Sequence, residues 1–187
     1  KSVKERMQRD TLTLEDIAGL GIGVPGPVKE DGTVLKCANL GWGVFNVADT
    51  VRELTGIENV KVGNDANVAA LGEMWQGGGK GYNNLVMVTL GTGVGGGVIL
   101  GGKILTGSNG AGGEIGHIRV NYEEKDVCGC GKTGCLEQYA SATGVVRLAK
   151  KALEKKEKKT TLVADDLSAK AVFDAAKAGD ELAMDIV

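Results

Sequence analysis

Apolar residues run almost unbroken from Ile17 to Val24 (IAGLGIGV), the pattern of a buried strand, and Pro25-Gly26-Pro27 stops the run. Before it, residues 1–16 are polar and close on LTLEDI, which reads as the tail of a helix. Lys29 to Val34 (KEDGTV) carries Asp31-Gly32, a hairpin signal, and residues 37–43 (CANLGWG) read as a loop. From Asn46 to Thr55, Val47, Val51 and Leu54 share one helical face. Glu58 to Val62 is a short strand leading to Gly63, and Asn64 then caps a helix that runs to Trp75. Residues 77–81 (GGGKG) read as a joint between domains. Leu85 to Leu90 is a strand, GTGVGGG a turn, and Val98 to Leu105 one or two further strands. Beyond Gln138 a helix begins and turns strongly basic, and Lys150 to Lys159 reads as a solvated helical face and loop. Leu167 to Val187 is helical, with Ala171, Val172, Ala175 and Ala178 as its apolar stripe and a break at Gly179-Asp180.

Composition narrows the functions this pattern could serve. The 187 residues suffice for one large domain or parts of two, and 42% are apolar, enough for a real core. Basic residues number 22 against 24 acidic ones, which argues against a nucleic-acid surface. No apolar run reaches the roughly eighteen residues of a membrane helix, and no signal peptide opens the sequence. Glycine is the outlier at 31 residues, concentrated in loops between residues 77 and 134, where backbone can approach a ligand closely. Gly91, Gly93 and Gly96 satisfy G-x-G-x-x-G, but a strand and not a helix follows, so the dinucleotide fingerprint is refused. Gly97 to Lys103 satisfies G-x-x-x-x-G-K, but Ile104 stands where a P-loop needs Ser or Thr. A hairpin loop whose amides face phosphate and a plain tight turn both fit this segment.

Chemistry gathers between Gly110 and Gln138. His117, the only histidine, is followed after ten residues by Cys128, after one more by Cys130 and after four more by Cys135. One imidazole and three thiolates make a closed tetrahedral set, which suits a structural zinc ion and leaves no open position for catalysis. The competing readings are a satisfied structural histidine with small buried cysteines, or disulfides. Cys-x-Cys is a poor spacing for a local bridge, and 4 cysteines in 187 residues are no disulfide scaffold. Thiolates fit a reduced, cytoplasmic setting. Cys37 is expected to be buried as a small apolar residue. Glu114 and Glu137 flank the set, so a metal pinning this loop would also fix two acidic groups beside a polar small molecule. Asn64 and Asp65 either merely cap their helix, or place there a carboxylate that receives a proton from a bound hydroxyl.

Taken together, GVPGPV, NLGW, NDANVAALGE, VTLGTGVGGG, GAGGEIGH and CGCGKTGCLEQYAS resemble the ROK family of sugar kinases and repressors, most of all the glucokinases of Gram-positive bacteria. The likeness extends over nearly all of residues 17–180. It implies an α/β, actin-like ATPase (ribonuclease H-like) fold of two domains closing on a cleft. Residues 1–76 would be part of the small N-terminal domain. Residues 77–187 would be part of the large C-terminal domain with its zinc-binding loop. It implies ATP-dependent phosphorylation of a hexose, glucose above others, with Asp65 as the base. Asn39, Asn64, Glu114, His117 and Glu137 would hold sugar hydroxyls, one ring nitrogen of His117 facing metal and the other sugar. Cys128, Cys130 and Cys135 would complete the structural zinc site, Thr92 and Gly93 would face nucleotide phosphates, and magnesium would accompany ATP. A homodimer is implied, with no nucleic-acid or membrane partner. The family's Asp-x-Gly-Gly-Thr phosphate loop and its adenosine-covering last segment have no counterpart here. The chain is therefore expected to be incomplete at both ends and inactive alone. The alternatives are a sugar-sensing transcriptional repressor of the same family, a zinc-stabilised sugar-binding module, or a kinase for fructose, mannose or an N-acetylated sugar. Polyphosphate competes with ATP as donor.

Overall fold

The computed structural model describes residues 2–35, 37, 40–155 and 157–187; Asn39, expected near a sugar, lies outside them. The chain forms two compact units that alternate along it: Lys1–Met87 with Gly97–Gly113, and Val88–Gly96 with Glu114–Val187.

In the first unit, β1 (Leu20–Val24) lies parallel to β4 (Val60–Asn64), with Leu20 opposite Val60 and Val24 opposite Asn64. Parallel strands need a long crossover, and α2 (Val47–Thr55) supplies it. Asn46 caps α2 by accepting from the Asp49 amide (2.9 Å), and Gly56 ends it in the left-handed conformation at φ +74°. The Asp31-Gly32 turn leads into β2 (Thr33–Val34), antiparallel to β3 (Phe45–Asn46). Val24, Val28, Val34, Val47 and Cys37 pack into one cluster, so Cys37 is the small buried residue expected of it. Ala48, Ile57 and Val60 form a second cluster under Ile17 and Leu20.

Several elements are shorter than the sequence suggests. The N-terminal helix, α1, covers only Ser2–Arg9, and LTLEDI holds a 3-10 turn, Leu14–Asp16, in which the Asp16 carboxylate accepts from the Thr13 amide (2.8 Å). The local Thr–Asp bond competes successfully with a longer helix. β1 starts at Leu20, not Ile17, and its exposure alternates along the strand.

The glycine-rich turn contracts in the same way. β5 (Leu85–Leu90), β6 (Val94–Leu100) and β7 (Lys103–Ile104) lie in that order in one sheet. Only residues 91–93 form the connection, and Gly95 to Gly97 belong to β6. A three-residue link permits only a hairpin between β5 and β6. Gly97 is glycine because α3 (Asp65–Gln76) packs on it: a Cβ there would lie 2.5 Å from the Ala70 Cβ and 2.9 Å from the Ala66 carbonyl oxygen. Glycine in this strand therefore marks a close helix approach.

In the second unit, α4 (Glu137–Ala140) and α5 (Ala142–Lys155) follow the cysteine loop, then α6 (Ala169–Lys177) and α7 (Glu181–Ile186). Val145 and Ala149 of α5, Val172 of α6 and Ala183 of α7 make their common core. Ser168 and Asp180 cap α6 and α7 from the Ala171 and Ala183 amides. No helix among the described residues is long and apolar enough to cross a membrane.

Candidate functional site

Asn64 ends β4 and Asp65 begins α3, so both sit where a strand turns sharply into a helix. Asn64 is held at both ends of its amide and keeps one Nδ2 hydrogen free of recorded partners among the described residues. Its Oδ1 accepts from the Ala66 and Asn67 amides (3.0 and 3.2 Å), and its Nδ2 donates to the Gly26 carbonyl (3.2 Å). The capping role weighed from sequence is real for Asn64, and the bond to Gly26 adds a tie to the loop after β1. Asp65 is exposed, and among the described residues Oδ1 accepts only from the adjacent Ala66 amide (2.9 Å). It forms no ion pair among the described residues. Asn67, one turn on, is buried with an Oδ1 that has no hydrogen-bond partner among the described residues. Its capping-type residue letter gave no sign of this.

The second unit brings the four metal-type side chains together. His117, Cys128, Cys130 and Cys135 place one ligand atom each within 4.8 Å of all the others. In a tetrahedral site with zinc–sulfur bonds of about 2.3 Å, neighbouring ligand atoms lie about 3.7 Å apart. Cys130 Sγ and Cys135 Sγ are 3.6 Å apart, and Cys128 Sγ is 3.8 Å from His117 Nδ1. The loop is shaped by a turn in which Gly131 N–H reaches the Cys128 carbonyl (2.8 Å) and by an antiparallel bridge between Arg119 and Cys135. Burial and its two thiol neighbours push Cys135 up to about 12, and burial holds Cys128 above its ordinary value. Cys130 sits below its ordinary value because the Lys132 amide and its two thiol neighbours outweigh burial. A dication at this position would supply the opposing charge that three neighbouring thiolates need. The set is a Cys3His site fit for a metal ion.

His117 turns Nδ1 toward this set while Nε2 lies 4.0 Å from the Glu114 carboxylate. Glu137 opens α4 two residues after Cys135. Its Oε2 accepts from the Val94 amide (3.0 Å), and its Oε1 is 3.8 Å from Cys128 Sγ. Thr92 and Gly93 lie in the β5–β6 connection beside it, and a Cβ on Gly93 would collide with the Glu137 carboxylate. Glu114, His117, Glu137, Thr92 and Gly93 thus fall in one unit, and Asn64 and Asp65 in the other.

A brace behind the metal loop escaped the sequence reading. Gln138 is buried; its Oε1 accepts from the Cys135 amide (3.0 Å) and its Nε2 donates to the Asp126 carbonyl (2.9 Å). Arg147 of α5 donates to Glu124 (3.0 Å), to Asp126 (2.8 Å) and to the Gln138 carbonyl (3.0 Å). Lys151 joins Asp126 at 2.5 Å, so the basic run is not wholly a solvated face. The Asp126 amide, the Tyr139 hydroxyl and Arg147 hold the Glu124 carboxyl down at about 2, against burial. A depressed carboxyl stabilises the fold above its unfolded pKa, and that contribution is lost as pH falls through its folded value. Glu124→Gln is therefore expected to cost up to about 3–4 kcal/mol at pH 7, since the drop spans roughly 2.5 pKa units at about 1.4 kcal/mol each. The deficit should shrink between the ordinary 4.5 and about 2. Urea midpoints of both proteins at neutral pH and near pH 3 measure it.

The sequence pattern of the ROK family matches residues 1–187. The chain belongs to the ROK family. Its α/β fold is that of the family's actin-like ATPases. The chain is 46% identical to the glucokinase of Halalkalibacterium halodurans over 191 aligned positions, covering 100% of this chain and 58% of that protein. It is similar to a crystal structure of a ROK family glucokinase from Streptomyces griseus in complex with glucose and AMPPNP. There the TM-score is 0.72 and the identity 37%, over 98% of this chain and 61% of that one. A ROK family transcriptional regulator, a homolog of the E. coli MLC protein, matches with a TM-score of 0.82 and 29% identity over 99% of this chain and 46% of that one. The chain thus spans less than two thirds of the length of these relatives.

Proposed function

We propose that the full-length protein phosphorylates a hexose with ATP, glucose being the preferred acceptor. The observation that carries this reading is Asp65: an exposed carboxylate, without an ion pair among the described residues, at the start of a helix whose cap Asn64 is tied down on both faces of its amide. Such a group can take the proton of a hydroxyl as it attacks the γ-phosphoryl group. Phosphoryl transfer otherwise needs positioning and charge neutralisation.

Asn64, Glu114, His117 and Glu137 are assigned to sugar hydroxyls, with Asn39 beside them. Each hydroxyl both donates and accepts, which carboxylates and amides answer in pairs. Because Glu137 Oε2 already holds the Val94 amide, Oε1 is its oxygen for sugar. His117 is oriented for a double role, Nδ1 to metal and Nε2 beside Glu114 to substrate. The metal is proposed to be zinc, held by His117, Cys128, Cys130 and Cys135; when bound it would close the loop and fix the His117 ring. Thr92 and Gly93 are assigned to phosphates, and magnesium enters with ATP as part of the substrate. Residues 1–76 and 77–187 are assigned to the small and large domains of the complete fold. The protein is proposed to work in the cytoplasm as a homodimer.

The similarity to a transcriptional regulator supports a second reading, a sugar-sensing repressor. One experiment separates them: ADP release by the full-length protein, given ATP, magnesium and glucose, mannose, fructose or N-acetylglucosamine. Release with glucose at least tenfold above the others is expected. Sugar binding with no release from any of them moves the protein to the repressors.

A further inference from the structure

The β5–β6 connection is made of Gly91, Thr92 and Gly93 and has little side chain of its own to hold its shape. All its external bonds among the described residues go to one segment, the junction of α4 and α5. The Ala142 amide donates to the Gly91 carbonyl (2.9 Å), the Thr143 hydroxyl to the Thr92 carbonyl (2.8 Å), and Glu137 receives the Val94 amide (3.0 Å). Ala142 opens α5, where amides have no partner inside the helix. Buried Ser141 is a second neighbour of this hydroxyl, its Oγ 3.0 Å from Thr143 Oγ1 against 2.8 Å for the Thr92 carbonyl. The Ser141 hydroxyl proton goes to the Glu137 carbonyl (2.6 Å) and its oxygen receives the Gly144 amide (2.9 Å). The Thr92 carbonyl, which can only accept, is the shorter partner of the Thr143 hydroxyl.

A trans peptide is planar, so its N–H points opposite to its carbonyl. Holding the Gly91 and Thr92 carbonyls toward α5 therefore aims the Thr92 and Gly93 amides the other way. Neither amide donates a hydrogen bond among the described residues. Two adjacent, unpartnered amides aimed to one side make a concavity for anionic oxygens. We infer that Thr143 is a positioning residue that orients the Gly93 amide, and through it the nucleotide phosphates. This rests on the reading of Thr92 and Gly93 as phosphate-facing.

The test uses the full-length protein and calorimetric binding of a non-hydrolysable ATP analogue with magnesium, beside KM values for ATP and glucose. Losing a neutral hydrogen bond of this kind weakens binding by about 3–10-fold. Thr143→Val should raise the nucleotide Kd and the KM for ATP by that factor, leave the KM for glucose and the bound metal unchanged, and be rescued by Thr143→Ser. Thr143→Ala, which also lacks the hydroxyl, stands in if the valine variant does not fold. An unchanged nucleotide Kd, or a serine variant as weak as the valine one, overturns the inference. Wild-type protein that binds nucleotide without turnover overturns the kinase reading instead, and the Kd values still decide this one. Wild-type protein that binds no nucleotide overturns it outright.

Discussion

Asp65→Asn in the full-length protein is expected to lower kcat for hexose phosphorylation by about 10²–10⁴-fold, the usual contribution of a general base. Glucose binding should change by less than about threefold, because asparagine keeps the shape and one acceptor oxygen of the side chain. The structure favours a clean result. Asp65 is exposed, and its recorded bond is to the adjacent amide, so little of the fold depends on its charge. Asn64, which does hold the fold, is left intact. Single-turnover kinetics alongside equilibrium glucose binding separate the two effects. A variant that turns over at the wild-type rate removes Asp65 as the base, and equal loss of binding makes it a sugar ligand only.

Cys135→Ser should have the larger effect on the second unit. Cys135 is fully buried, and its Sγ lies 3.6 Å from Cys130 Sγ. Closed zinc sites in small domains contribute about 10–16 kcal/mol of apparent binding free energy. Losing even a third of that would lower Tm by roughly 10 °C in a protein of this size. Bound zinc, read by atomic absorption, should fall from about one per chain to none, and glucose affinity should fall with it as His117 loses its anchor. Cys37→Ser is the control: Cys37 lies in the apolar cluster with Val24 and Val34, so zinc content should be unchanged. A Cys135 variant that binds glucose normally would uncouple metal from substrate.

What was legible in the sequence follows from how local each signal is. The clustering of His117 with three cysteines could be read because the cysteines fall within eight residues, and the geometry brings all four side chains together. The helix after Asn64 was marked by its cap, and that bond is present. GTGVGGG was misread as a turn because glycine serves two purposes that sequence alone does not separate. Gly91 and Gly93 shape the connection, whereas Gly97 makes room for α3. The brace behind the metal loop was invisible for another reason. Arg147 meets Glu124 and Asp126 across 23 and 21 positions, a separation without period or motif.

The alternation of the two units along the chain constrains how the protein is made. When residues up to Met87 have left the ribosome, the first unit still lacks Gly97–Gly113, and α3 has no Gly97 to pack on. The nine positions Val88–Gly96 that must be synthesised next belong to the other unit, which waits in turn for Glu114 onward. Neither unit can finish before a stretch of its partner has been translated. Early strands therefore remain partly uncovered during synthesis, where the alternating exposure of β1 limits the continuous apolar surface they present. A gene split after residue 76 would separate α3 from the strand it covers, so two halves expressed apart would each carry an unfinished core.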